Sequence, residues 1–174
     1  TGYIWRLPTE AEWELACRAG SDGPFCESIV GLMNHDVELS EKHLDQFGWF
    51  AGNSGNKIHP VKQKLPNSLG LYDMHGNVWE WCLDSTQSEK VNMLEQRVSG
   101  EINPFSTTGN WKTLRGGCYD VKADRCRSAY RGANSPSIVQ GDRGFRIVLG
   151  PILNYEGNST RNEFSNKTIG FDQF

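Results

Sequence analysis

Gly70-Leu71-Tyr72-Asp73-Met74-His75-Gly76-Asn77-Val78-Trp79-Glu80-Trp81 is the stretch that decides how this 174-residue chain folds. Two tryptophans, a tyrosine, two glycines and two carboxylates share twelve residues, a mixture too specific for generic amphipathic filler. From Val78 to Cys82 apolar and polar residues alternate, as in a strand with one buried face. Just upstream, Pro66-Asn67 turns the chain into this stretch, and His59-Pro60-Val61-Lys62-Gln63 predicts a short strand. Gly48 to Lys57, rich in glycine and asparagine, predicts a loop.

Towards the start, Pro8-Thr9-Glu10-Ala11-Glu12 predicts a helix whose cap is Thr9. Glu12, three residues on, reaches back to complete a capping box. Trp13, Ala16 and Cys17 then fall on one face, and Gly20 stops the helix. Residues 21–47 are polar and unpatterned apart from a short helix over Glu38–Gln46. The acidic residues Glu38, Glu41 and Asp45 form a solvated face. Ser85 to Trp111 predicts a long insertion with little apolar content. Thr113-Leu114-Arg115 enters a strand, and Gly116-Gly117 lets the backbone bulge or pack closely. Cys126–Arg131 and Phe145–Leu149 are expected as closing strands with a loop over Gly132–Arg143. There are no internal repeats and no low-complexity tracts.

Length suits one domain with a real core. Six tryptophans and 19 glycines point to loops rather than long helices. The net charge of −3 carries no basic patch, so nucleic acid is not an expected partner. No apolar run approaches membrane-spanning length. Cys17, Cys26, Cys82, Cys118 and Cys126 lack paired CxxC spacing, which argues against tetrahedral zinc and for small buried residues. His35, His43, His59 and His75 show no helical pairing of the kind that binds metal. Asn158-Ser159-Thr160 and Asn166-Lys167-Thr168 match glycosylation sequons, a pattern that short sequences also reach by chance.

The signature resembles that of the formylglycine-generating-enzyme (sulfatase-modifying factor) family. Trp5-Arg6-Leu7-Pro8-Thr9-Glu10-Ala11-Glu12-Trp13-Glu14 upstream, and Leu114-Arg115-Gly116-Gly117 leading to Gly144-Phe145-Arg146 downstream, extend the likeness in the same order. The resemblance implies an α+β, C-type-lectin-like fold that is loop-rich and has little regular secondary structure. It implies that residues 1–149 are the C-terminal part of such a domain, with an N-terminal part preceding it, and that 150–174 are a polar extension. In secreted relatives a cysteine at the position of Cys17 is bridged to one just after the Gly-Phe-Arg triplet. Here that place holds Ile147, so this bridge has no partner. A bacterial cytoplasm or cell envelope fits that loss.

The resemblance also implies sites. One Ca²⁺ sits on the signature loop of relatives, and residue by residue its ligands fall on Asp73, Gly76, Val78 and Glu80. The chemistry agrees, because a hard cation takes oxygen ligands and a glycine turn can point carbonyls inward. The competing reading is a Glu80 that only hydrogen-bonds. The family's oxidases use two cysteines five apart after the Gly-Gly pair to bind copper(I), which prefers soft thiolates. Anchored on Gly116-Gly117, the first of these aligns with Val121. Anchored on Arg127-x-Ala129-x-Arg131, the pair aligns with Cys118 and Ala123. Either way at most one cysteine remains, so copper and formylglycine chemistry are not expected. The iron-dependent sulfoxide synthases that share the fold carry their metal histidines in a separate helical domain.

The expected function is therefore non-catalytic ligand binding, for a protein or small-molecule ligand, over a surface from residue 118 to residue 143. Its candidate residues are Tyr119, Asp120, Lys122, Asp124, Arg125, Tyr130, Asn134, Ser137, Gln140 and Asp142. Tyrosine offers large contact area at low entropy cost, and short polar side chains offer adaptable hydrogen bonds. This stretch also resembles the variable region of diversity-generating-retroelement proteins, although residues 147–174 follow the triplet where such regions usually end the chain. The alternative is an oxidoreductase of the formylglycine-generating or sulfoxide-synthase type, acting with a missing or fused domain.

Overall fold

Thr9 organises the first helix. The computed structural model describes residues 2–26, 37–87, 104–153 and 171–172, with 37–41 and 171–172 described as backbone only. Helix α1 spans Glu10–Arg18. Glu12 N–H donates to Thr9 Oγ1 at 3.2 Å, and Thr9 N–H donates to Glu12 Oε2 at 2.8 Å, so the reciprocal cap forms as its sequence predicts. Trp13, Ala16 and Cys17 are buried along one face. The helix ends one residue before the expected glycine: Ala19 takes the left-handed conformation at φ 49 and donates to Leu15 O. Asn67 Nδ2 then satisfies two carbonyls of the last turn, Ala16 O at 2.7 Å and Cys17 O at 3.3 Å. A second helix, α2, spans Val37–Phe47 and outruns the predicted Glu38–Gln46 at both ends.

Among the described residues, nine short strands follow the pattern expected of a loop-rich α+β domain: β1 Tyr3–Arg6, β2 Gly48–Trp49, β3 His75–Gly76, β4 Trp79–Thr86, β5 Trp111–Arg115, β6 Gly132–Asn134, β7 Arg143–Gly144, β8 Ile147–Pro151 and β9 Phe171–Asp172. The central sheet has the order β6-β5-β4-β7. Its axis is the antiparallel pair β4–β5, in register at Glu80↔Arg115 and Trp81↔Leu114 and irregular between Trp81 and Ser85. β7 adds in parallel on the other side of β4. A second sheet, β1-β8-β9, joins the two ends of the domain through Tyr3↔Pro151 and Arg6↔Val148. Part of the extension thus returns as a strand, Phe171–Asp172 antiparallel to β8. Both sequons, His35 and most of the Ser85–Trp111 insertion lie outside the described residues.

Two predicted strands are absent. Residues 59–63 form no strand; Val61 and Lys62 make a turn, with Lys62 at φ 66. The reason lies in the signature. Asn77 Oδ1 accepts His59 N–H at 3.0 Å and its Nδ2 donates to His59 O at 3.1 Å, so one side-chain amide replaces a strand partner. Asp73 Oδ2 accepts Lys62 N–H at 2.8 Å in the same way. Residues 126–131 also form no strand. A 3₁₀ turn covers Ala123–Cys126, and the strand comes later, as β6, inside the expected loop. The backbone groups that a ladder would need are taken elsewhere: Ser128 N–H donates to Pro24 O, and Arg115 Nη2 donates to Ser128 O at 2.7 Å.

Three buried apolar clusters fill the described residues. Trp13, Ala16, Cys17, Leu71, Met74 and Cys82 lie between α1 and the signature. Phe25, Leu44, Phe50, Ala123 and Cys126 form a second, and Trp79, Leu114 and Cys118 a third. Buried charge threads between them. Arg115, fully buried, bonds Glu10 Oε1 at 3.2 Å and Glu14 Oε2 at 2.5 Å. Arg131 clasps the same Glu10 at 2.5 and 2.8 Å.

Candidate functional site

The signature supplies a rigid floor. β4 presents Glu80 inward, where Arg146 holds it with two bonds, Nε to Oε2 at 2.5 Å and Nη2 to Oε1 at 2.6 Å. Trp13 Nε1 donates to the same Oε2 at 2.6 Å. A paired, hydrogen-bonded ion pair of this kind fixes geometry, because breaking either half strands a buried charge. His75 is equally committed. Its Nδ1 donates to Cys126 O at 2.8 Å and its Nε2 accepts Cys26 N–H at 3.0 Å, which defines a neutral Nδ1–H tautomer.

The four positions implied for calcium fall on this floor. Asp73 is buried; its Oδ2 accepts Lys62 N–H, while its Oδ1 is buried with no hydrogen-bond partner. Burial pushes the Asp73 carboxyl above its usual range, against the opposing pull of the Lys62 N–H and of Arg146. An orphaned buried oxygen is what a cation or a proton would satisfy, so Asp73 fits the implied ion. Glu80 Oε2 already accepts from both Arg146 and Trp13 and its Oε1 from Arg146, so only one lone pair, on Oε1, remains for a further partner. Gly76 N–H donates to Gly116 O at 2.7 Å, and Val78 is half-buried.

Above the floor, residues 118–143 divide into two kinds. Tyr119 is tethered through its backbone, donating to Asn77 O at 3.0 Å and accepting from Ser54 Oγ at 2.7 Å. Its ring and that of Tyr130 pack beside Trp79, Leu114 and Cys118, and Tyr130 lies 6.0 Å from the Trp79 ring. Asn134 is buried and braces the following loop: its Oδ1 accepts Ser135 N–H at 2.8 Å, and its Nδ2 reaches Gln140 Oε1 at 3.3 Å. Pro136 to Gly141, including Ser137 and Gln140, are exposed, and Val139 is 96% exposed. Lys122, Asp124 and Arg125 are exposed around the 3₁₀ turn, whose Ala123 and Cys126 belong to a different apolar cluster. Asp120 and Asp142 converge on one thiol. Cys118 Sγ lies 2.9 Å from Asp120 Oδ1 and 3.8 Å from Asp142 Oδ2.

All five cysteines are free and buried. Burial pushes the Cys17 thiol up to about 12, and Cys126 likewise to about 12, with Asp124 adding to the latter. Burial also raises Cys82 well above its ordinary value and raises Cys118, where Asp120 adds to the effect. Thiols held protonated in this way are poor nucleophiles at neutral pH.

Sequence reasoning missed the braces. Arg115, Arg131 and Arg146 carry the buried ion pairs, and Trp81 joins the tyrosines at the edge of the third cluster. Their partners lie 66 to 121 positions away, so no local spacing signals them. Asp142 oriented by Arg143 (Nη1 to Oδ1, 2.5 Å) was visible only as two adjacent charges.

Residues 2–150 match the sulfatase-modifying factor enzyme 1-like domain. The formylglycine-generating enzyme of Streptomyces coelicolor is 33% identical over 161 residues, which cover 82% of this chain and 46% of that protein. Serine/threonine-protein kinase pkn1 of Chlamydia caviae is 34% identical over 145 residues, 83% of this chain and 21% of that one. The chain thus spans half or less of the length of these curated relatives. Among solved structures, Treponema denticola variable protein 1 superposes with a TM-score of 0.68 at 36% identity, covering 84% of this chain and 48% of that one. None of the described helices is long and apolar enough to cross a membrane.

Proposed function

The chain belongs to the sulfatase-modifying factor enzyme 1-like domain family, and from that premise we propose that it is a non-catalytic recognition domain whose ligand surface runs over residues 118–143. The observation that carries this reading is the division within that segment. Asn134 and the tyrosine rings are anchored on buried β4 and β5, while Asp120, Lys122, Asp124, Arg125, Ser137 and Gln140 project from it into solvent or onto its rim. A rigid base carrying exposed polar and half-buried tyrosine side chains is suited to binding, because little entropy is lost on contact. The likeness to a variable protein supports the same reading.

The competing reading is an oxidoreductase, supported by the likeness to formylglycine-generating enzymes. The two separate in one assay. Incubated with copper(I), dioxygen and a cysteine-containing sulfatase peptide, the chain should leave the peptide cysteine unchanged by mass. Turnover that vanishes in Cys118→Ala would overturn the recognition reading. Joint replacement of Lys122, Asp124, Ser137 and Gln140 by alanine should leave the melting temperature unchanged; collapse of the fold would mean that these residues are structural.

We also propose that Asp73, with Gly76, Val78 and Glu80, holds a structural Ca²⁺ that ties the signature loop to the sheet. The partnerless Asp73 Oδ1 supports this. Added calcium should raise the melting temperature of the chain and leave that of Asp73→Ala unmoved. Equal behaviour of the two proteins would remove the ion from the site.

A further inference from the structure

We infer that Cys118, Asp120 and Asp142 form a second cation site, one for a borderline divalent ion of the zinc class. The sulfur and one oxygen of each carboxylate all lie within 4.8 Å of one another. The donors are mixed: one fully buried sulfur, one exposed carboxylate and one half-buried carboxylate.

The donor segments are held before any ion arrives. Tyr119, next to Cys118, donates its N–H to Asn77 O at 3.0 Å. Asp142 accepts Trp79 N–H on its own backbone carbonyl at 2.9 Å, and the adjacent Arg143 pairs with Trp79 in β7. Both segments therefore hang on the same three residues of the signature, 77–79. The second oxygen of Asp142 is taken by Arg143 Nη1 at 2.5 Å, which aims the first at the sulfur. This is the outer-shell arrangement that orients a metal-binding carboxylate.

Donor identity selects the ion. A calcium or magnesium site is built from oxygen alone, and copper(I) favours several soft ligands. One thiolate with two carboxylates suits zinc, which binds sulfur at about 2.3 Å and oxygen at about 2.0–2.2 Å in a tetrahedron. The present separations of 2.9 and 3.8 Å straddle the donor spacing of such a tetrahedron, about 3.5 Å. Three protein donors leave a fourth position, and the exposure of Asp120 places it towards solvent, on the surface proposed for ligand binding. Binding releases the Cys118 proton to solvent, and zinc takes its place on sulfur.

The inference adds to the recognition reading without depending on it, since an ion can bind whether or not a larger ligand follows. The test is titration of the reduced, full chain with Zn²⁺ and with Co²⁺, whose thiolate charge-transfer absorption reports sulfur ligation directly. The wild-type chain should bind one ion at this site and show the band. Asp120→Asn, at an exposed position, should fold normally and weaken binding at least tenfold, and Cys118→Ser should abolish the band. No zinc binding by the folded wild-type chain, or binding and a band unchanged in Asp120→Asn, would overturn the site.

Discussion

The floor around Glu80 and the surface over residues 118–143 are built from the same residue types, charged, aromatic and glycine, yet use them in opposite ways. On the floor buried ion pairs dominate: Glu80 with Arg146, Arg115 with Glu10 and Glu14. On the surface Lys122, Asp124, Arg125 and Gln140 are exposed, and Val139, the most exposed large apolar residue among those described, is almost wholly solvated. The floor's polar groups are fixed because burial makes any loss of a partner expensive. The surface's are free to differ because water can replace their partners. A binding domain needs both, a scaffold that resists change and a face that tolerates it.

The sharpest break of the contrast comes at high pH. The thiols of Cys17 and Cys126, both buried, are raised from 9.0 to about 12 in the folded chain. Below pH 9 both states hold these protons, and stability does not depend on them. Between 9.0 and 12 the unfolded chain releases its protons while the folded chain keeps them, so stability falls as pH rises through this window. Circular dichroism should show cooperative unfolding there. The slope of unfolding free energy against pH should be shallower in Cys126→Ala; an identical slope would mean that the thiol is not held protonated by the fold.

Next in size is the floor ion pair. Glu80→Ala leaves Arg146 buried without the carboxylate that it bonds twice, and should destabilise the chain by about 3–5 kcal/mol in urea unfolding. A loss under about 1 kcal/mol, the range of an exposed pair, would show that the two side chains separate into solvent at little cost.

A pair of glycines compares the two regions with one chemical change. Gly117 has φ +76, and an added Cβ would meet Cys126 Sγ at 2.7 Å and Arg125 O at 3.0 Å. Gly117→Ala should therefore cost about 1–3 kcal/mol, from left-handed strain and the clash. Gly141 meets nothing within 4 Å, and Gly141→Ala should be neutral or stabilising by about 0.4–1 kcal/mol through loss of unfolded-state entropy. Equal destabilisation of both variants would erase the distinction between floor and surface.

Sequence carried the local signals well and the distant ones poorly. Thr9 and Glu12 announced α1 because a capping box is complete within four residues. The signature named Glu80, and the resemblance gave it a calcium role, but nothing near it in the chain points to Arg146, 66 positions on. The apparent strand at 59–63 failed for the same reason. Its hydrogen-bonding partner is the side chain of Asn77, and a side-chain amide leaves no alternating pattern to read. Asp120 and Asp142 were legible as polar candidates, but their meeting at Cys118 depends on two backbone bonds to residues 77 and 79.

The smallest effects belong to the tip of the loop. Val139→Ser removes an apolar side chain that is 96% exposed, and Gln140→Ala removes one end of a 3.3 Å bond to Asn134. Neither leaves a buried group unpaired in a way that water cannot repair, so each should move the unfolding midpoint by no more than about 0.5 kcal/mol. Asn134→Ala is the control, because it also strips Ser135 N–H of its partner from a buried position and should cost about 1–2 kcal/mol. If Gln140→Ala proved as damaging as Asn134→Ala, the loop would be a structural strap closed by that bond, and residues 135–141 would lose their claim to be a variable face.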